Sequence, residues 1–152
     1  MLKFVVIGTY RGGTLFVATT LQALGINCGH EAVFREEYAD LPRISTDHLE
    51  ADCGGAAWRH IALFETLGLP VVRLVREKSL VMASLKRRGG PIKDNISRYY
   101  DEVHHAAIQA KPCVTMYLEN SSPGFLALSM YLGLGWTEPD VQTAMRGANR
   151  NH

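Results

Sequence analysis

The chain has 152 residues, 47% of them hydrophobic, which suits one compact domain over residues 1–152 and leaves no room for a second. Sixteen Lys and Arg against fifteen Asp and Glu give a net charge of +1, so bulk charge does not argue for nucleic acid or an acidic membrane surface, and any anion site must be local. Cys28, Cys53 and Cys113 are widely spaced with no CxxC pair, which argues against a disulfide framework or a zinc cluster and for a reducing compartment.

The first predicted element is a buried strand through Leu2, Phe4, Val5, Val6 and Ile7. The run breaks at Gly8, too short for a membrane span or a signal peptide, so a cytoplasmic protein with no membrane partner is expected. Gly8-Thr9-Tyr10-Arg11-Gly12-Gly13-Thr14 then leads into a helix pattern of Leu15, Phe16, Val17, Leu21 and Leu24, with Gly25 at its stop. This is the layout of a phosphate cradle. Glycines let backbone N–H groups turn inward, and a helix N-terminus adds roughly half a positive charge toward an anion. Arg11 would supply a full charge and a forked donor, and Thr14 a hydroxyl. A plain tight corner is the alternative reading. The Walker pattern GxxxxGK[ST] is absent, because Gly13 runs directly into Thr14 with no lysine, which disfavours an ordinary ATPase or GTPase.

Ile26-Asn27-Cys28-Gly29 reads as a second strand that leaves His30 and Glu31 at its end, and residues 32–49 read as a polar surface segment, a lid or a solvated helix. Residues 51–67 read as a helix weakened by Gly54 and Gly55, and Pro70 to Val75 as a central strand. Helices are expected over Glu77–Arg88 and, from the stripe Ile96, Tyr99, Tyr100, Val103, Ala107 and Ala110, over Asp94–Ala110. A further strand over Cys113–Leu118 precedes an apolar helix at Phe125–Leu132 and a last helix, capped by Thr137 with Asp140, running to about Arg146. Strands alternating with helices imply parallel pairing with helices on both faces, and ligands at the carboxyl ends of strands. The loop 8–14, His30-Glu31 and Arg76 each fall at such an end.

Arg76 lies eight residues before Ser84, so a strand end and a helix turn can converge on a second anion, although an ion pair of Arg76 with Glu77 or Glu36 is the simpler reading of that arginine alone. Lys86-Arg87-Arg88 would add contacts there or form a solvated basic helix end, and Trp58 and Tyr10 would line an adenine or acceptor pocket or pack in the core.

Thr9 to Thr14 resembles the 5'-phosphosulfate-binding loop of the sulfotransferases, usually a Lys or Arg followed by Ser-Gly-Thr. Arg76 and Ser84 match the arginine and serine of that family's 3'-phosphate motif, and Leu74-Val75-Arg76-Glu77 through Val81-Met82-Ala83-Ser84 is similar to the segment that carries it. Tyr117-Leu118-Glu119-Asn120, Pro123 and Tyr131-Leu132-Gly133-Leu134 resemble the family's closing elements, so the likeness to the small bacterial-type sulfotransferases spans nearly the whole chain.

The resemblance implies a three-layer P-loop NTPase-like α/β fold, with a central mainly parallel sheet flanked by helices. It also implies sulfuryl transfer from 3'-phosphoadenosine 5'-phosphosulfate (PAPS) to a hydroxyl or amine of a small-molecule or glycan acceptor. Carried over by residue, Tyr10, Arg11, Gly12, Gly13, Thr14 and Leu15 would hold the 5'-phosphosulfate, and Arg76 and Ser84 the 3'-phosphate also present in adenosine 3',5'-bisphosphate (PAP). Arg11 would also stabilise charge on the leaving oxygen, and Glu31, or else His30, would take the acceptor's proton; no metal is needed if cationic side chains neutralise the nucleotide. Gly12 replaces the family's Ser and Leu15 a common Thr or Ser, departures that fit a reduced relative. A small P-loop-like metabolite kinase and a non-catalytic nucleotide-binding module remain as alternatives, and the oligomeric state is open.

Overall fold

The structure, a computed structural model, describes residues 2–34, 48–89, 92 and 94–150. Among these, β1 (Phe4–Ile7) is followed by α1 (Thr14–Ala23), β2 (Cys28–His30) and β3 (Ala51–Gly54). A single 3-10 turn at Ala57–His60 leads into α2 (Ile61–Leu67), β4 (Val71–Val75), α3 (Lys78–Arg88), α4 (Ile96–Gln109), β5 (Val114–Tyr117), α5 (Ser122–Leu132) and α6 (Glu138–Arg150). The five strands form one sheet in the order β2-β3-β1-β4-β5, with every pairing parallel.

All four residues of β1 are buried, as a strand with neighbours on both edges and helices on both faces requires. Alternation along β1 divides the core in two. Val5 and Ile7 pack with Phe64 of α2, Val81 and Leu85 of α3, and Val103 of α4. Phe4 and Val6 pack on the opposite face with Val17 and Leu21 of α1, Phe125 and Leu128 of α5, and Val141 of α6.

The expectation of a helix over 51–67 is corrected. Ala51–Gly54 is a strand inserted between β2 and β1, with all four residues buried, and only Ile61–Leu67 is α-helical. Gly54 and Gly55 disfavour a helix, and a tyrosine ring crowds the second: a Cβ at Gly55 would sit 2.5 Å from Tyr10. Smaller shifts occur elsewhere. α5 starts at Ser122, with Pro123 in its first turn where no amide donor is needed, and α6 continues to Arg150. The expected cap of α6 forms: Thr137 N–H and Oγ1 both donate to Asp140 Oδ2, at 2.9 and 2.8 Å. Of the segment expected as a lid, residues 35–47 lie outside the described residues, while Val33, Phe34 and Leu49 beside them are buried.

After β1 the chain fills one side of the sheet with β2 and β3, then crosses to the other side with β4. The crevice at this reversal, outside the carboxyl end of β1, is where open parallel sheets place ligands, and the loop from Gly8 to Gly13 occupies it. Among the described residues, no helix is long and apolar enough to cross a membrane.

Candidate anion-binding site

The loop after β1 is a tight turn in which Gly12 N–H donates to Thr9 O at 3.0 Å. A Cβ at Gly12 would lie 2.8 Å from Thr9 O and 2.6 Å from Thr9 Oγ1, so this backbone leaves no space for a serine there. Gly13, at φ 94°, caps α1 with no side-chain hydrogen bond, and a Cβ on it would meet Leu118 at 2.6 Å. Arg11 adopts φ 61°, a left-handed conformation that costs a non-glycine residue about 1–2 kcal/mol.

Two hydrogen bonds hold Arg11 in that conformation, and they join the two motifs. Arg11 Nε donates to Ser84 Oγ at 3.0 Å, and Arg76 Nη1 donates to Arg11 O at 2.6 Å. Ser84 is buried in α3, whereas Arg11 is exposed and Arg76 half-buried at the end of β4. Among the described residues, no carboxylate pairs with either guanidinium. Two uncompensated positive charges therefore stand beside the N-terminus of α1, where the first-turn N–H groups and the helix dipole also favour an anion.

From the other side, β2 delivers His30, whose Nε2 lies 2.9 Å from Thr14 Oγ1. Glu31, at φ 53°, uses its N–H on Cys53 O and makes no side-chain hydrogen bond to the loop among the described residues. Of the two candidate bases, His30 is thus the one that touches the cradle. The ring of Tyr10 is buried and stacked on Tyr99 at 5.8 Å, and Leu15 lies exposed on the first turn of α1.

Several residues around the site carry no motif. Asp52, fully buried in β3, accepts from the N–H groups of Ala32, Val33 and Phe34 at 3.1, 3.0 and 3.2 Å. Burial raises its pKa, opposed by these three bonds and by His30 nearby. Its task is to pin the turn that follows His30, and nothing in the sequence disclosed it, because residues 51–67 read as a helix. On α4, Tyr99 OH accepts from Tyr10 N–H and donates to Gly55 O, both at 2.9 Å, while Tyr100 OH donates to Arg76 O at 2.7 Å. Both tyrosines read as members of an apolar stripe, and nothing in their spacing disclosed the hydroxyl contacts.

Beyond Tyr99, Trp58 meets its ring edge-on at 6.4 Å and borders an open groove of about 700 Å³ along Arg98, Asp101, Glu102 and His105 of α4. Asp101 is paired with Lys78 and Glu102 with Arg98, so the groove carries little net charge to offer. No protein-family model matches the sequence, and no curated protein matches it.

Proposed function

We propose that this chain is a P-loop-like sulfotransferase that uses PAPS as donor and a hydroxyl or amine as acceptor. The observation that carries the reading is the bridge Arg76–Arg11–Ser84, which brings a loop at one strand end and an Arg-to-Ser pair on another strand and helix into contact around uncompensated charge. The strand order 2-3-1-4-5 differs from both the 2-1-3-4-5 and 3-2-1-4-5-6 orders of the common doubly wound folds, in keeping with a P-loop-like arrangement.

The residues present fit such a donor: cationic forks and free helix N–H groups for one anionic end, and an arginine with a buried serine for the other. Bound there, PAPS would supply a sulfuryl group on a phosphate leaving group. Arg11 and the N–H groups at the start of α1 hold and neutralise the 5' end, while Arg76 and Ser84 hold the 3'-phosphate. His30, oriented by Thr14, takes the proton of the acceptor. A kinase reading draws less support, because the loop lacks a lysine and Asp52 spends both carboxylate oxygens on backbone N–H groups.

Calorimetry tests the reading directly. PAP is expected to bind more tightly than AMP, ADP or ATP, and Arg76→Ala to weaken it roughly tenfold or more, the value of one charge-assisted hydrogen bond. His30→Ala should leave that binding intact and abolish sulfuryl transfer. Tighter binding of ATP than of PAP would overturn the assignment, and transfer surviving His30→Ala would overturn the role given to His30.

A further inference from the structure

The backbone of Arg76 is held on both sides of its Cα. The peptide before it is fixed by Leu118, whose N–H donates to Val75 O at 2.8 Å. The peptide after it is held at both of its polar ends: Tyr100 OH donates to Arg76 O at 2.7 Å, and Glu77 N–H donates to Glu119 Oε1 at 3.2 Å. The orientations of these two planar groups set φ and ψ of Arg76, so the three bonds fix the direction in which its side chain leaves the chain. From there the guanidinium reaches Arg11 O at 2.6 Å. Two of the three partners belong to one turn, directly after β5. That turn is itself seated, because Asn120 N–H donates to Tyr117 O at 3.0 Å and the Leu118 side chain lies against Gly13, where a Cβ would meet it at 2.6 Å. Glu119 is exposed and forms no ion pair among the described residues, so its carboxylate serves the backbone of this loop instead of neutralising the guanidinium.

We propose, on the sulfotransferase reading given above, that Glu119 is a positioning residue for Arg76: by holding the Arg76–Glu77 peptide at the end opposite Tyr100, it aims the guanidinium at the 3'-phosphate and so sets the preference for nucleotides that carry one. Glu77 is the N-cap of α3 and its N–H has no acceptor within the helix, so Glu119 is the group that restrains it. Three roles for this acid predict different outcomes. A cap that only stabilises α3 leaves the choice between nucleotides unchanged. A purely electrostatic role makes removal of the acid strengthen binding of the more negative nucleotide, since a negative charge leaves the rim of the site. Release of the aimed arginine does the reverse and weakens the grip on the 3'-phosphate alone.

PAP and AMP differ by the 3'-phosphate only, so the ratio of their dissociation constants, measured by calorimetry on the full chain, reads what Arg76 contributes. Glu119→Ala is expected to lower the preference for PAP roughly threefold to tenfold, the range of one hydrogen bond, and to leave AMP affinity unchanged. Glu119→Gln, whose amide oxygen still accepts from Glu77 N–H, should retain the preference. In an Arg76→Ala background there is no side chain left to aim, and Glu119→Ala should cause no further loss. Amide hydrogen exchange checks the bond itself without any nucleotide: Glu77 N–H should exchange slowly in the wild type and in Glu119→Gln, and fast in Glu119→Ala. Circular dichroism verifies that each variant is folded. A wild type that binds AMP as tightly as PAP overturns the 3'-phosphate reading, and the aiming role with it, before any substitution is made. A wild-type preference that survives or rises in Glu119→Ala, an equal loss of PAP and AMP affinity, or an unprotected Glu77 N–H in the wild type overturns the aiming role alone.

Discussion

His104 sits directly behind the arginine cluster. It is 6% exposed, accepts from Arg73 Nε at its Nδ1 at 3.3 Å, and lies 4.4 Å from the ring of Tyr100, which in turn holds the backbone of Arg76. With Nδ1 accepting, the neutral ring carries its hydrogen on Nε2, which is buried without a partner. Burial first, and the positive charge of Arg73 second, push the pKa down to about 4, while Asp101 pulls it weakly upward. Between that value and the ordinary 6.5, the unfolded chain binds a proton at this residue that the folded chain refuses. Stability therefore rises with pH across this window, and falls as pH drops from about 6.5 to 4, by up to about 3 kcal/mol. Urea unfolding at a series of pH values should show this slope, and His104→Gln should flatten it. An unchanged slope in the variant would remove His104 as its source.

Between elements, α5 approaches β5 closely at Gly124. A Cβ at Gly124 would lie 2.6 Å from Met116 Cγ and 3.1 Å from Met116 Cα, so the helix rests on the strand backbone itself. Gly124→Ala should lift α5 and destabilise the protein by about 1–3 kcal/mol despite the better helix propensity of alanine, as urea unfolding would show; a stabilised variant would mean that the packing yields. Elements with a strong period were legible in the sequence: β1 and β4 as apolar runs, α4 by its stripe and α6 by its Thr137–Asp140 cap. β3 was not. Ala51-Asp52-Cys53-Gly54 has neither β-branched nor aromatic residues, so its strand conformation comes from the vacancy between β2 and β1 and from the three N–H groups that Asp52 collects, which are tertiary causes invisible in local sequence.

At the scale of the molecule, the site is assembled by long-range convergence, and its two halves were legible unequally. The candidate residues Arg11, Thr14 and Arg76 were singled out because each sits at a strand end or helix start, and Ser84, inside α3, because it follows Arg76 by eight; the tyrosines behind them were not. Tyr99 and Tyr100, adjacent on α4, reach three different loops: Tyr10 after β1, Gly55 after β3 and Arg76 after β4. One helix thus ties together the three loops at the carboxyl edge where the candidate anion site lies. Removing the Tyr99 hydroxyl leaves the N–H of Tyr10 and the carbonyl of Gly55 buried without that partner, whereas removing the Tyr100 hydroxyl frees one carbonyl at a half-buried position. Tyr99→Phe should therefore cost about 2 kcal/mol, or roughly 4–8 °C in Tm for a domain of this size, and Tyr100→Phe less. If the strap sets the geometry of the cradle, Tyr99→Phe should also weaken PAP binding at a temperature where the variant is fully folded, while Gly124→Ala, remote from the loops, should not. Equal loss of affinity in the two variants would show that binding follows stability alone, and that α4 supports the site without tuning it.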